Sequence, residues 1–390
     1  MESERTTEER REEELRFDPE RREKAEAYAR INRRWMFVEL GLSFALIIGF
    51  WASGLSQALK SFWIEAGMGA PAALVAAYIG TVALGSELVT LPLSWWRSFV
   101  LPHRFGLSTQ TLGAWAVDQL KMLGLELLLG LPIAEVIYWL LRSAPTTWWL
   151  WAAAFTILVG VVLSGLAPVL IVPLFYDLTP LEDEELAERI KKLGEAANTR
   201  IGGVYTIDLS RRTTAANAMV MGLGATKRIA LGDTLYEEFT PEEIETIVAH
   251  ELGHQVHHDL ELGILVESAL TLGGMYAAHR ALLWGIERFG FAGLGDVAAM
   301  PWLMLVATVF SLATMPLINA YSRWRERLAD DFALRTTGKP QAFANAFTRL
   351  GDQNLSEAEP PQWEVWLFYS HPPLATHIER VTEHQATTLP

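Results

Sequence analysis

Cysteine is absent from all 390 residues. That excludes disulfides, thiolate metal ligands, a cysteine nucleophile and palmitoylation of this chain, and leaves histidine and carboxylates as the only strong metal ligands. Cations are scarce as well: 32 Lys and Arg stand against 46 Asp and Glu, a formal net charge of -14. Nucleic-acid binding needs clustered cations that displace counterions from a polyanion, so a nucleic-acid partner is excluded. The opening 35 residues are dense in Glu and Arg and lack an apolar core, so they are read as neither a signal nor a transit peptide. Membrane entry, if it occurs, is left to internal segments.

Apolar residues are abundant, at 51% of the chain. Six runs approach the roughly 20 residues that a helix needs to cross a bilayer. They cover about Met36 to Leu59, Ala70 to Leu93, Leu123 to Leu141, Trp148 to Phe175, Leu260 to Ile286 and Ala298 to Tyr321. Trp95, Trp96, Trp148, Trp149 and Trp151 stand at the ends of these runs, where amphipathic rings favour the headgroup layer. A single such run fits a buried core helix, but six indicate a polytopic, mainly α-helical membrane protein. Arg30, Arg33 and Arg34 precede the first run and Arg97 and Arg104 follow the second, which places the N-terminus on the cytoplasmic side. With four spans before it and two after, the polar region from Tyr176 to Asp259 falls on that side too, as does the C-terminal segment.

The runs contain Glu39, Glu87, Glu126, Glu135, Glu261 and Glu267, with His279 and Arg280 beside them. A charge at mid-bilayer costs about 2.5 to 3.5 kcal/mol on insertion scales, so such side chains face one another or a water-filled space. Those near helix ends snorkel to the interface instead. A hydrated interior chamber is the expectation. The organisation is therefore a charged tail (1–35), a four-span unit (36–175), a catalytic unit (176–259), two further spans (260–321) and a closing segment (322–390).

Within the polar insert, Leu181 to Ala197 has helical periodicity, and Tyr205 to Leu209, Ala215 to Val220 and Arg228 to Leu231 read as short strands of a small sheet. Gly222 to Lys227 has the wrong spacing for a phosphate loop and is read as a turn. A helix then begins with Thr240 as its cap, Pro241 in its first turn and Glu243 completing a capping box. Down that helix runs His250, Glu251, Leu252, Gly253, His254. Histidines four apart project from one helical face and reach one metal, with the intervening glutamate facing the attacking water; this is the HExxH arrangement of zinc peptidases. Such a site wants a third protein ligand. Glu326 and Asp330, also four apart and directly after the last run, suit a ligand and an acceptor that orients a ligand imidazole. Alone, that segment reads as a solvated charged helix start.

Four motifs together, HELGH at 250–254, SRWRERLAD at 322–330, TAANAMVMG at 214–222 and YSHPPL at 369–374, resemble the type I CAAX prenyl endoprotease family, intramembrane gluzincins related to the bacterial heat-shock membrane protease. The resemblance extends from the second span to about residue 380. It implies spans surrounding a hydrated chamber capped by a gluzincin-like zinc domain, with one Zn2+ held by His250, His254 and Glu326, and Glu251 as general base. It also implies that Asp330 orients a ligand, that Asn217 lies on the edge strand along which substrate adds as a strand, and that His371 steadies the tetrahedral oxyanion. Without the resemblance, His371 and Asn217 read as turn residues. His257 and His258 match no ligand position and read as a solvated helix end. Two departures are visible: His377 stands where the family usually has an arginine, and six spans are counted where the longer eukaryotic members have seven. With no endoplasmic-reticulum retention signal, the chain looks like a bacterial inner-membrane member.

The expected chemistry is metal-assisted peptide hydrolysis in which Glu251 takes a proton from water and returns it to the leaving amine. A peptide or protein substrate, prenylated in the CAAX-type case, is the expected partner besides the bilayer. A quality-control protease cutting unmodified membrane peptides shares this chemistry and differs in substrate. A transporter or binding scaffold is the third alternative, although the chain lacks the repeated halves many transporters show.

Overall fold

The computed structural model describes residues 18–222 and 227–388, with side chains to residue 385. The first half of the expected charged tail, residues 1–17, and most of the Gly222 to Lys227 turn therefore lie outside the described residues. From Asp18 onward the charged stretch is no separate tail. Asp18 caps α1 (Pro19–Ala52) by accepting from the backbone N–H of Glu20 at 2.8 Å, and the helix runs unbroken into the first apolar run. Its first turns pack down: Ala25 is buried with Leu107 and Leu355.

The expected run to Leu59 is two helices. Ser53 and Gly54, the latter at φ +80°, end α1, and a short α2 (Leu55–Glu65) follows. Its 11 residues rise only about 16 Å, too little to cross the hydrocarbon layer. Three long helices come next: α3 (Pro71–Arg104), α4 (Leu112–Ser143) and α5 (Trp148–Phe175). Both α3 and α5 contain a π-helical turn, at Trp96–Val100 and Ala167–Ile171. Past a mixed α/β insert, α9 (Asp259–Phe289) and α10 (Met300–Thr337) are the remaining long helices.

By length and composition, five helices among the described residues are able to cross a membrane: α1, α3, α5, α9 and the stretch Val297–Thr337 that contains α10. The count of six is thus one too many by this measure. The expected third span lies in α4, a 32-residue helix long enough to cross, but one carrying Asp118, Lys121, Glu126, Glu135 and Arg142 along its length. The boundary drawn at Tyr321 also falls inside a single helix, because α10 continues from the apolar stretch straight through Glu326 and Asp330.

Burial is uneven along these helices. Val75, Tyr78, Leu141, Trp148, Leu282 and Val297 form one core cluster far from the insert. No residue of the most apolar stretch of α1, α5 or α9 is buried. The long helices pack most tightly at that end, while their most apolar stretches keep their side chains at least partly exposed, although α9 and α10 still meet midway where Gly274 lies against the Phe310 ring.

The insert contains β1 (Leu178–Pro180), α6 (Glu184–Ala196), β2 (Gly203–Ile207), β3 (Ala218–Met221), β4 (Arg228–Gly232), α7 (Asp233–Glu238) and α8 (Pro241–Val256). The sheet order is β1-β2-β4-β3, with β2 and β4 parallel and antiparallel strands at both edges. Strand β1 had no counterpart in the expected strands; its three residues are too short to show a period of two. Helices α6 and α8 cover the sheet through Ile190, Ile244, Val248 and Leu252, packed on Ile229 and Leu231. The capping box forms as expected, Thr240 Oγ1 accepting from Glu243 N and Glu243 Oε2 from Thr240 N at 2.9 Å. The chain closes with α11 (Pro340–Asn354), α12 (Gln362–Phe368) and α13 (Leu374–Thr388).

Helices α8 and α10 approach most closely at Gly253. A Cβ there would stand 2.8 Å from the Ala329 Cα and 3.2 Å from its carbonyl oxygen, so backbone rather than a flexible side chain would have to move. Gly253→Ala is expected to destabilise the protein by about 1–3 kcal/mol. Thermal unfolding in detergent checks this, and an unchanged midpoint would contradict the close packing.

Candidate active site

Helix α8 supplies His250, Glu251 and His254, and the facing turn of α10 supplies Glu326. Each histidine turns Nε2 inward. His250 Nε2 stands 3.3 Å from Glu326 Oε2, and His254 Nε2 stands 3.7 Å from Glu326 Oε1. One donor atom from each of the three residues lies within 4.8 Å of the other two, a spacing that holds one metal ion. Two imidazoles, one carboxylate and no thiolate are a borderline-hard donor set that accepts Zn2+ and other divalent ions. His250 and Glu326 are only 6% and 5% exposed. Burying a carboxylate beside two histidines that cannot all be satisfied by one another is costly unless a cation completes the group.

The outward nitrogens show how the imidazoles are held. His254 Nδ1 bonds Asp259 Oδ2 at 2.7 Å, and Asp259 is fixed in turn by Arg325 Nε at 2.6 Å, while Arg325 also donates to the His257 carbonyl. His250 Nδ1 lies 2.9 Å from Asp330 Oδ1 but off the line of a good hydrogen bond, and it has no other partner. The Asp330 carboxylate, 1% exposed, is taken more squarely by His377 Nδ1 at 2.8 and 2.9 Å. His377, which stands where the resemblance leads one to expect arginine, stacks on Phe347 with centroids 4.6 Å apart. Asp330, predicted to orient a ligand, does face His250. Asp259 and Arg325 escaped sequence reasoning; the available signal was an acid directly after the HExxH helix, within reach of the second histidine.

Glu251 keeps one side open to a cavity of about 830 Å³. Burial pushes its carboxyl above the usual range, partly offset by His250 and His254 and reinforced by Glu326. His371 reaches the same cavity from the turn before α13, with Nε2 3.2 Å from Glu326 Oε1 and Nδ1 2.9 Å from Ser370 Oγ. Asn217 lines the cavity too, immediately before the edge strand β3; its carbonyl accepts from Gly232 N at 2.8 Å, which leaves its side chain exposed. The far wall comes from α1 and α3, through Arg33, Met36 and Arg97. The structure thus brings together all seven residues singled out in the sequence. His258 is exposed, as expected. His257 is half-buried against Phe332 and so is no solvated end.

Known proteins resemble this chain over most of its length. Residues 180–385 match the family described as peptidase family M48, and residues 5–177 match the CAAX prenyl protease N-terminal region, described as five membrane helices. The chain belongs to peptidase family M48. It is 32% identical to the uncharacterized metalloprotease YhfN of Bacillus subtilis over 93% of this chain and 87% of that one. It is 30% identical to a CAAX prenyl protease 1 homolog of Oryza sativa, over 79% and 73% of the two chains. The crystal structure of S. mikatae Ste24p superposes with a TM-score of 0.83 at 26% identity, covering 93% of this chain and 89% of that one. The protein is accordingly a membrane metalloendopeptidase with the Ste24p-like fold. Within the matched residues 5–177 the described part of this chain has α1 through α5, of which α2 is too short to cross and α4 is charged along its length.

Asp259→Asn and Asp330→Asn are each expected to weaken metal binding about 10–100-fold, the usual effect of losing a carboxylate that orients a ligand imidazole. Competition against a chelator measures this, and wild-type retention in both variants would contradict it.

Proposed function

We propose that this M48 member is a Zn2+ endopeptidase of the CAAX type, cutting peptides near a lipidated C-terminus. His250, His254 and Glu326 hold the ion; their three convergent donor atoms are the observation that carries the assignment. Bound by these residues, Zn2+ would supply Lewis acidity for the scissile carbonyl and for water, whose pKa it lowers to about 7 in such sites. The rest of the work falls to the chain itself. Glu251 accepts the proton of the attacking water and passes it to the leaving amine. His371 Nε2, beside Glu326, donates to the oxyanion as charge develops there. Asp330 and Asp259 fix the two imidazoles.

Substrate lies along the open side of β3, past Asn217, where an edge strand offers backbone hydrogen bonds to an extended peptide. The prenyl-protease names carried by relatives such as the Oryza sativa homolog support the lipidated substrate. The catalytic unit comprises residues 176–259 and 322–390. It faces the cytoplasm of a bacterial inner membrane, together with the start of α1. Two observations support that side: the cations at Arg30, Arg34 and Arg104 flank the same ends of the spans, and Arg33 of α1 is bonded to Glu357, at 2.7 Å, in the catalytic half.

Glu251→Gln is expected to retain the metal and lose essentially all hydrolysis, at least about 10²-fold. The decisive assay offers detergent-purified protein two matched peptides, one with a farnesylated cysteine near its C-terminus and one without. Preferential cutting of the lipidated peptide, abolished in the variant, is the expected result. Equal cutting of both would replace this reading with peptide clearance.

A further inference from the structure

A second cavity, of about 420 Å³, opens on the other side of the Pro372–Pro373 turn from the catalytic one, and both prolines line both cavities. Its charged lining consists of Arg323, Arg327 and Glu359, with Trp366 at its mouth. Glu359 turns to Arg22 at 3.4 Å. The two arginines are four apart on α10, hence on one helical face. Among the described residues neither is paired with a carboxylate. Arg323 spends one nitrogen, Nη1, on the carbonyls of Val365 and Tyr369, at 2.8 and 2.5 Å, and Arg327 is exposed. Two guanidinium groups sharing a concave site repel one another until an anion lies between them, and their planar forks match the oxygens of a phosphate.

The depth of this cavity is fixed by its neighbours. Asn319, at the end of the apolar stretch of α10, donates to the Leu367 carbonyl at 2.7 Å. Phe37, in the apolar part of α1, packs edge-on to Phe368 and also against Trp363, at 6.3 and 6.2 Å. Helix α12 is therefore level with the membrane ends of two long helices. It exposes Trp366 by 70% and Trp363 by 46%, the residue type and level of the headgroup layer. We infer that Arg323 and Arg327 form a binding site for the phosphodiester of an anionic lipid headgroup, with Trp366 against its glycerol region.

The site is tied to catalysis through Arg323. The carbonyls it holds belong to the strap from Val365 to Tyr369, and that strap leads through Ser370 to His371. A phosphate between the arginines relieves their repulsion and fixes Arg323, and with it the strap that presents His371 to the catalytic cavity.

The test uses the full chain carrying Glu251→Gln, stripped of lipid and returned to bilayers of phosphatidylcholine with or without phosphatidylglycerol. Lipid retained per protein is then counted by mass spectrometry, a readout that does not depend on peptide cleavage and so survives failure of the protease assignment. Phosphatidylglycerol is expected to be retained in preference to phosphatidylcholine. Arg327→Gln should weaken that retention about fivefold, the value of one basic side chain at an anionic surface, and Arg327→Lys should restore only part of it, because an ammonium supplies the charge without the planar fork. With Glu251 intact, anionic bilayers should raise turnover of the wild type and leave Arg327→Gln at its phosphatidylcholine rate. Equal retention by wild type and Arg327→Gln would overturn the site. Displacement of the lipid by millimolar inorganic phosphate would overturn the lipid assignment and give the site to a soluble phosphate.

Discussion

Gly253 and Ala329 let two helix backbones touch, and the site exists because they do. Helix α8 carries His250, Glu251 and His254; α10 carries Glu326, which completes the candidate metal site. With a hydrogen where a side chain would otherwise stand, Gly253 sets α10 close enough for Glu326 to reach both inward-facing nitrogens. An aspartate four residues on from Glu326 then meets His250 on the same face. One small residue thus fixes ligand distance and imidazole orientation together, and any change that pushes the helices apart loosens both.

Around that contact the buried charges are arranged as alternating pairs. Arg325 neutralises Asp259, which holds His254; His377 faces Asp330, which faces His250. Removing one member of such a buried pair costs about 3–5 kcal/mol, because the survivor stays unpaired in a dry environment. The polar network therefore frames His250, His254 and Glu326 and ties α10 to α8 and to the first residue of α9. His377 stacks its flat ring on Phe347 as it bonds Asp330.

Much of this was legible in the sequence because it is local. A capping box, a helix starting with proline and an i, i+4 pair of histidines are set by residues within one or two turns, and each appears where its residue types demand. The strands of the small sheet were legible for the same reason, apart from three-residue β1. What escaped depends on contacts between distant segments. The partnership of Asp259 with Arg325 spans 66 residues, and no periodicity encodes it. The broken first span turns on Ser53 and Gly54, two residues whose small size is also common inside membrane helices. The membrane assignment of α4 is ambiguous because its acids and bases are scattered through an otherwise apolar helix, so composition alone separates it from its neighbours. Glu326 shows the reverse case: its surroundings look solvated in the sequence and are buried in the fold, and the demand for a third ligand, with the family resemblance, pointed to it.

Asp18, Arg22 and Arg33 at the start of α1 bond Asp352, Glu359, Glu357 and Glu364, across more than 300 residues. During synthesis these residues emerge, and α1 with them, long before their partners exist. The same delay applies to the centre itself, since His250 and His254 are translated before Glu326, and Glu326 before His371 and His377. The cavity is lined by stretches from both ends of the chain, from Tyr28 to His377, so its wall is complete only when the last of them is in place.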